Sequence, residues 1–519
     1  MFASIGHVLR LGRAGFILAR EGVFSGVDAD SLPASARLAL WASRLVARKD
    51  GGMIRLAPAI ARLGPSYVKL GQTLATRPDV VGVDVARQLE SLQDRMAPFP
   101  RDVAVGVIEH AFGRPLAETF SFFGEPVAAA SVAQVHRARI REGDLERDVA
   151  VKVLRPGIER RFQRDLGDMF FAAHLVQNWA PEAQRLNPVG VVDTLARSVK
   201  MEMDFRLEAA AASEFADNSA DDVDFGVPKV DWNNTSREVL TLEWIDGIAL
   251  SDIEALRRSG ADLPRLARTI IQSFLRHAVR DGFFHADMHP GNLFLAADSR
   301  LVAVDFGIMG RLGLKERRFL AEILYGFITR DYRRVAEVHF EAGYVPPHYR
   351  VADFAQAIRA VGEPIHSRRA DEISMAKLLT LLFEITALFD MHTRIELVML
   401  QKTMVVVEGV ARSLDPRIDI WSTAEPVVRD WMEDNLGPRG KLGDVGQGVK
   451  SLAQMVAQTP EMLLRGGRIV EKFEAMVQHG LVLAPQTVAA LGKANASGQR
   501  AWRYAIVFGL LAIALLLLR

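Results

Sequence analysis

The chain of 519 residues contains no cysteine. That excludes disulfide bridges, thiolate nucleophiles and cysteine-ligated zinc, and it agrees with a reducing cytoplasm. It has no excess of one charge either: 64 Lys and Arg stand against 63 Asp and Glu, a formal net charge of +1. Nothing in that balance implies a polyanion-binding surface, so nucleic acid is not an expected partner. There is no internal repeat, flavin fingerprint, haem motif or di-iron carboxylate set. Residues 1–20 mix apolar and basic residues without acids, and lack the uncharged stretch and cleavage site of a secretory signal. They read either as an interfacial helix on anionic lipid or as a first helix packed on the body. A chain of this length can hold more than one domain and bury a sizeable core.

What is present is most informative at His285-Ala-Asp-Met-His-Pro-Gly-Asn292, followed by Asp305-Phe-Gly307. A phosphoryl-transfer site of the kinase type needs a carboxylate to hold or deprotonate the nucleophile. It also needs an amide and a second carboxylate to hold magnesium against the phosphates. Asp287 fits the first role, Asn292 the amide of an H-x-D-x-x-x-x-N loop, and Asp305 the second carboxylate. A different reading takes the alternating His285, Asp287 and His289 as metal ligands on a strand, as in a hydrolase. Pro290-Gly291 breaks that strand at once and no further histidine cluster follows. His285 reads instead as a packing and hydrogen-bonding residue.

A lysine for the phosphates is expected on a strand upstream, and Val149-Ala-Val-Lys152 supplies it. Before that strand, a glycine-rich turn would let backbone N–H groups close on the phosphates. This chain has none. In its place stand Ala128, Ala129, Ala130, Ser131, Val132, Ala133, Gln134 and Val135, then His136. Each alanine adds a Cβ, so the path over the phosphates must be displaced. The run lies between β-like segments at 119–123 and 132–140 and reads as a modified phosphate loop.

The alanine loop, Lys69-Leu-Gly-Gln72, Glu202-Met-Asp204 and the His285–Asn292 segment together resemble the UbiB family of atypical kinase-like proteins, which serves ubiquinone (coenzyme Q) biosynthesis. The resemblance runs from Gly64 to Arg311. It implies an α+β, protein-kinase-like two-lobe fold with a helical N-terminal extension carrying the K-x-G-Q helix, and a C-terminal membrane helix. It implies ATP and Mg2+ as cofactors, and an ATPase or unorthodox kinase whose acceptor includes water. Lys152 would pair the phosphates, Glu208 would be the αC glutamate, and Glu243 and Ile245 would sit beside adenine. Residues 128–135 would contact the nucleotide, and Asn292 and Asp305 the metal. Lys69, Gln72, Glu202 and Asp204 would form a gate over the cleft. Membrane lipid, polyprenylphenol or quinone intermediates and other ubiquinone-biosynthesis enzymes are the partners it suggests. A hydroxylase role finds no support in these residues. Two other readings stay open: a small-molecule kinase of the aminoglycoside or choline kinase type, which would not explain Lys69-Leu-Gly-Gln72, and a nucleotide-binding pseudokinase scaffold.

The expected plan is a helical extension over 1–114, an N-lobe over 115–246, a helical C-lobe over 247–434, and a linker with further helices over 435–500. Helices are expected at 35–47, 65–75, 83–93, 101–111, 155–179, 263–280, 393–413 and 445–479. Residues 504–518 carry no charge and would form a helix of roughly 22 Å, short of the ~30 Å hydrocarbon core. Trp502, Tyr504 and the flanking arginines can ease the mismatch. The family often ends in two spans, and one is found here. A membrane tail is expected, with the catalytic domain on the cytoplasmic face of a bacterial inner membrane.

Overall fold

The computed structural model describes residues 2–24, 34–47, 56–75, 96–143, 145–179, 187–366 and 395–436, with residues 81, 85, 88, 89, 92, 385 and 388–391. The chain divides into two compact units, one of Arg13–Met432 and one of Met1–Gly12 with Glu433–Arg519. The site lies in the first of these.

Four helices open the chain: α1 (Phe2–Arg20), α2 (Ala34–Val46), α3 (Leu56–Leu63) and α4 (Pro65–Ala75). Gly64 breaks α3 from α4 at φ +104°, where a side chain would also strike Arg161. Pro65 then occupies the first helical position, where its missing N–H costs nothing. After α5 (Arg101–Phe112) and the single turn α6 (Leu116–Thr119), the chain enters strands β1 (Phe122–Ala129), β2 (Ala133–Glu142) and β3 (Leu145–Leu154). Of the run at 119–123, expected to be extended, only Thr119 falls in the helical turn; Phe120 is extended, and Phe122 and Phe123 open β1.

Helices α7 (Ile158–Trp179), α8 (Pro188–Glu202) and α9 (Phe205–Asn218) follow, then β4 (Phe225–Gly226) and β5 (Val239–Glu243). The order β1-β2-β3-β5 makes an antiparallel four-stranded sheet. Because side chains alternate along a strand, Val149, Val151 and Val153 of β3 bury one face against Ile108, Phe120 and Phe123. Lys152 is left on the other face.

The second lobe comprises β6 (Gly247–Ala249), α10 (Ile253–Arg258), α11 (Leu263–Arg276), β7 (Phe283–His285), β8 (Leu293–Ala296), β9 (Leu301–Ala303) and β10 (Met309–Arg311). It continues with α12 (Leu314–Thr329), α13 (Tyr332–Glu341), α14 (Val351–His366), α15 (Ile395–Leu414) and α16 (Ile420–Leu436). Strands β4-β9-β8-β6 form one small sheet and β7-β10 another. The helix expected to reach 280 ends at Arg276 and loosens into a π-turn over His277–Asp281. Gly282 closes that turn at φ +66°, where a Cβ would stand 2.5 Å from the Leu312 carbonyl. Helix α16 carries past 434, the expected lobe boundary. The helices expected at 83–93 and 445–479 and the membrane tail at 504–518 fall outside the described stretches. Among the described residues, no helix is long and apolar enough to cross a membrane.

Candidate active site

Strand β3, helix α9 and the segment after β9 deliver three charged groups to one point. Lys152 Nζ lies 2.8 and 3.0 Å from the two Glu208 carboxylate oxygens and 3.2 Å from Asp305 Oδ2. Glu208 sits in the first turn of α9, whose N-terminus is capped by the Asp204 side chain accepting from the Arg206 N–H. Asp305 Oδ1 accepts from the Gly307 N–H at 3.0 Å. Burial works against the Lys152 charge, but the Asp305 and Glu208 carboxylates outweigh it and raise the ammonium above its usual range. Burial would likewise raise Asp305, yet Lys152 and the Gly307 N–H keep it well below the ordinary carboxylate range. Its side chain remains 45% exposed. Burial pushes Glu208 up to about 7 against the pull of Lys152. Two carboxylates thus share one ammonium, and the buried one is the more easily protonated.

The loop between β7 and β8 carries the second half of the site. Asn292 Nδ2 donates to the Asp287 backbone oxygen at 3.1 Å and to Asp287 Oδ2 at 3.2 Å. The Asp287 N–H donates to His285 Nδ1 at 3.1 Å. Burial lowers the His285 pKa, so the ring serves as a neutral acceptor. The His285 and Phe306 rings lie 5.7 Å apart, and Phe306 stands 5.7 Å from Phe215 of α9. An aromatic path therefore joins the Asp287 loop, the Asp305 segment and the helix that bears Glu208. His289 is exposed and accepts the Gly291 N–H at 3.2 Å, so His285, Asp287 and His289 do not face a common point. Among the described residues, no three His, Cys, Asp or Glu groups are placed to hold a metal. Magnesium does not need three. It is commonly held by one or two protein oxygens, substrate phosphates and water. With Asn292 Nδ2 engaged by Asp287, Asn292 Oδ1 and the half-exposed Asp305 supply hard oxygen donors of that kind.

Ala128 and Ala129 pair with Val135 and Gln134 as ordinary ladder residues of β1 and β2. The turn itself is Ala130, Ser131 and Val132, closed by the Ala130 N–H donating to the Ala133 oxygen at 2.8 Å. Its carbonyls are engaged from outside. Ala129 accepts from the Met96 N–H, Ala130 from Arg155 Nη2 at 3.2 Å, and Val132 from the Arg155 N–H at 2.7 Å. The Gln134 side chain, expected at the nucleotide, is committed elsewhere. It exchanges hydrogen bonds with the Phe99 backbone at 2.9 and 3.1 Å and meets His136 Nε2 at 2.9 Å. In the connection after β5, Ile245 is half-buried, and Glu243 Oε2 accepts the Lys229 N–H at 3.2 Å.

Helix α4 packs Tyr67 and Leu70 against the cluster of Val132, Leu154 and Phe205, next to both the alanine turn and the start of α9. Ser66 Oγ donates to Asp165 at 2.8 Å. Lys69 Nζ lies 2.8 Å from Glu202 Oε2, with the two side chains 11% and 12% exposed. Asp204, expected to share Lys69, is instead engaged by Arg206 at 2.9 and 2.7 Å. The reason is local: as N-cap of α9 it already faces Arg206. Gln72 is half-buried on the same helix. Sequence reasoning missed two residues that shape the site. Thr403 Oγ1 of α15 donates to the Ala286 oxygen at 3.0 Å, beside Asp287. Arg155 clamps the alanine turn, and its place just after the lysine strand was the only available signal.

A strand lysine paired with a helix glutamate, above a carboxylate–amide loop and an Asp-Phe-Gly segment, is the arrangement of a protein-kinase-like domain. Residues 91–339 match the ABC1 atypical kinase-like domain, and residues 358–419, which contain Thr403, match the UbiB helical domain. A protein of Marinobacter nauticus named "Probable protein kinase UbiB" is 43% identical over 413 residues, spanning 79% of this chain and 74% of that one. Its namesake in Pseudomonas putida is 39% identical over 416 residues, or 79% of this chain and 76% of that one. A solved structure of a Mycobacterium tuberculosis protein with erythromycin covers 74% of this chain and 97% of its own. The identity is 24% and the TM-score 0.45. The chain belongs to the UbiB family.

Proposed function

We propose that the protein is an ATP-binding, magnesium-dependent ATPase or atypical kinase that supports ubiquinone biosynthesis at the membrane, on or beside polyprenylphenol intermediates. The observation that carries this reading is the convergence of Lys152, Glu208 and Asp305 opposite the Asp287–Asn292 pair. Glu208 fixes the Lys152 ammonium where nucleotide phosphates would replace Asp305 as its partner. Released from Lys152, Asp305 would hold magnesium together with Asn292. The metal, when bound, neutralises phosphate charge. Asp287 is left to orient the attacking oxygen and take its proton, with Asn292 setting its carboxylate and His285 its backbone.

Helix α4 bears on what that oxygen can belong to. Pinned by the Lys69–Glu202 pair and seated beside the alanine turn, it favours a small or lipid-like acceptor, or water, over a protein substrate. The uncharged residues 504–518 would bring the domain to lipid-embedded substrates. Quinone analysis of a strain lacking the protein tests the assignment. Quinone should fall, the parent gene should restore it, and a gene carrying Asp287→Asn should not. Unchanged quinone in the deletion would remove the pathway from the account.

A further inference from the structure

The Ala130–Val132 turn is held from behind by a short stretch of backbone that precedes α5. The Met96 N–H donates to the Ala129 oxygen at 3.3 Å. Arg155 Nη2 bridges the Ala97 and Ala130 carbonyls at 3.1 and 3.2 Å, with its guanidinium 5.2 Å from the centre of the Phe99 ring. The Gln134 side chain grips the Phe99 backbone twice, accepting its N–H at 2.9 Å and donating to its oxygen at 3.1 Å. The same amide nitrogen meets His136 Nε2 at 2.9 Å, and His136 Nδ1 lies 2.9 Å from the Gly124 oxygen. The imidazole therefore donates from Nδ1 and accepts at Nε2. Gln134 and His136 are both buried, and a buried amide with both donors and its acceptor engaged has one orientation open to it.

The chain just before this stretch reaches helix α4. Leu92 is buried with Leu89, Ile60, Val68 and Ala75, a cluster that contains no residue of the alanine turn. A Cβ on Gly71 would stand 2.4 Å from Leu92 Cδ1, so the glycine of Lys69-Leu-Gly-Gln72 is the seat that the Leu92 side chain occupies. Four residue steps separate Leu92 from Met96, a reach of at most ~14 Å. A short tether thus ties a contact on α4 to the backbone that is bonded to the turn.

We propose that Met96–Phe99 is a strap through which helix α4 sets the shape of the alanine turn, with Gln134 and Arg155 as positioning residues at its far end. They act on the nucleotide through the turn that they and the strap hold, not by touching it. The strap rests on the nucleotide-binding reading above and adds to it a route from α4 to the phosphates. Its test is the affinity for Mg-ATP and for Mg-ADP of the full-length parent, Leu92→Ala, Gln134→Leu and the double variant. Each single change should move the ratio of the two affinities about fivefold and in the same direction, the low end for coupling between linked sites. The double variant should move it no further, because a strap cut at one end has nothing left to transmit. Leu92→Met, which refills the seat on Gly71 at similar volume, should keep the parent ratio.

Two further variants make the same cuts should the first ones not fold. Gly71→Ala displaces Leu92 from the other side, and Arg155→Met frees Ala97 and Ala130 while the Arg155 backbone bond to Val132 is retained. A parent ratio in the Leu92 and Gly71 variants, or a double variant whose shift is the product of the two single ones, would overturn the strap and leave the nucleotide site standing. A parent that binds neither nucleotide would remove both.

Discussion

The Lys69–Glu202 pair allows the most quantitative test of how helix α4 is held. Its side chains are 11% and 12% exposed and its charged atoms 2.8 Å apart. An exposed pair would contribute under ~1 kcal/mol. Breaking a buried one by removing a single partner costs about 3–5 kcal/mol, because a charge is left behind without compensation. With roughly a tenth of each side chain still wet, we expect the low end: about 3 kcal/mol for Lys69→Ala, which strands Glu202, and at most that for Glu202→Ala. The double variant strands neither charge, so it should lose about 3–4 kcal/mol, less than the simple sum of up to ~6. The helix should stay docked through Tyr67, Leu70 and the Ser66–Asp165 bond, leaving a folded protein to assay. Urea unfolding of the four proteins gives the coupling, and ATP turnover on the same samples shows whether the pair also governs the cleft. Additive losses, or single losses under ~0.5 kcal/mol, would refute the buried-network reasoning.

Glu208, raised to about 7, retains a proton in the folded state that an unfolded chain releases near its ordinary value of 4.5. Between those limits the folded state binds more protons, so this group lowers stability as pH rises through the window. The pH dependence of Tm for the parent minus that for Glu208→Gln should therefore slope downward from about 4.5 to about 7; a flat difference would contradict it. Thr403→Val removes the donor to the Ala286 carbonyl and should cost about 1–3 kcal/mol. It should lower kcat more than it raises KM for ATP, whereas unchanged kcat would remove Thr403 from the site. Ala130→Gly loosens a turn whose carbonyl is clamped by Arg155 and should alter the ratio of ATP to ADP affinity. An identical ratio would count against contact between that turn and the phosphates.

Much of the site was legible because kinase-like chemistry demands particular residue types at short, ordered spacings. Asp287, Asn292 and Asp305 lie within one short stretch, and Lys152 announces itself as a single charge within a β-branched run. The helix at 65–75 was equally plain, with Pro65 to start it. Less legible were contacts whose partners stand far apart in the chain. Thr403 meets Ala286 across 117 positions, and no local pattern foretells that. Gln134 looked like a phosphate-loop residue, yet its amide braces Phe99, a backbone segment with no motif of its own. Asp204 shows the opposite failure: its charge suggested Lys69, but capping α9 turned it toward Arg206. The strand-like composition at 119–123 holds for Phe120, Phe122 and Phe123, and only Thr119 is drawn into the helical turn that follows Pro115.

Whether Lys152, Asp305 and Asp287 divide nucleotide binding from turnover is decided by measuring Mg-ATP affinity and phosphate release together. The samples are the full-length parent, Asp305→Asn and Asp287→Asn, in the presence of lipid. The parent should release phosphate, and Asp305→Asn should lose Mg-nucleotide affinity. Asp287→Asn should bind as the parent does but turn over about a hundredfold more slowly, a typical loss for one positioned catalytic group. Parent-like release by both variants would contradict that division.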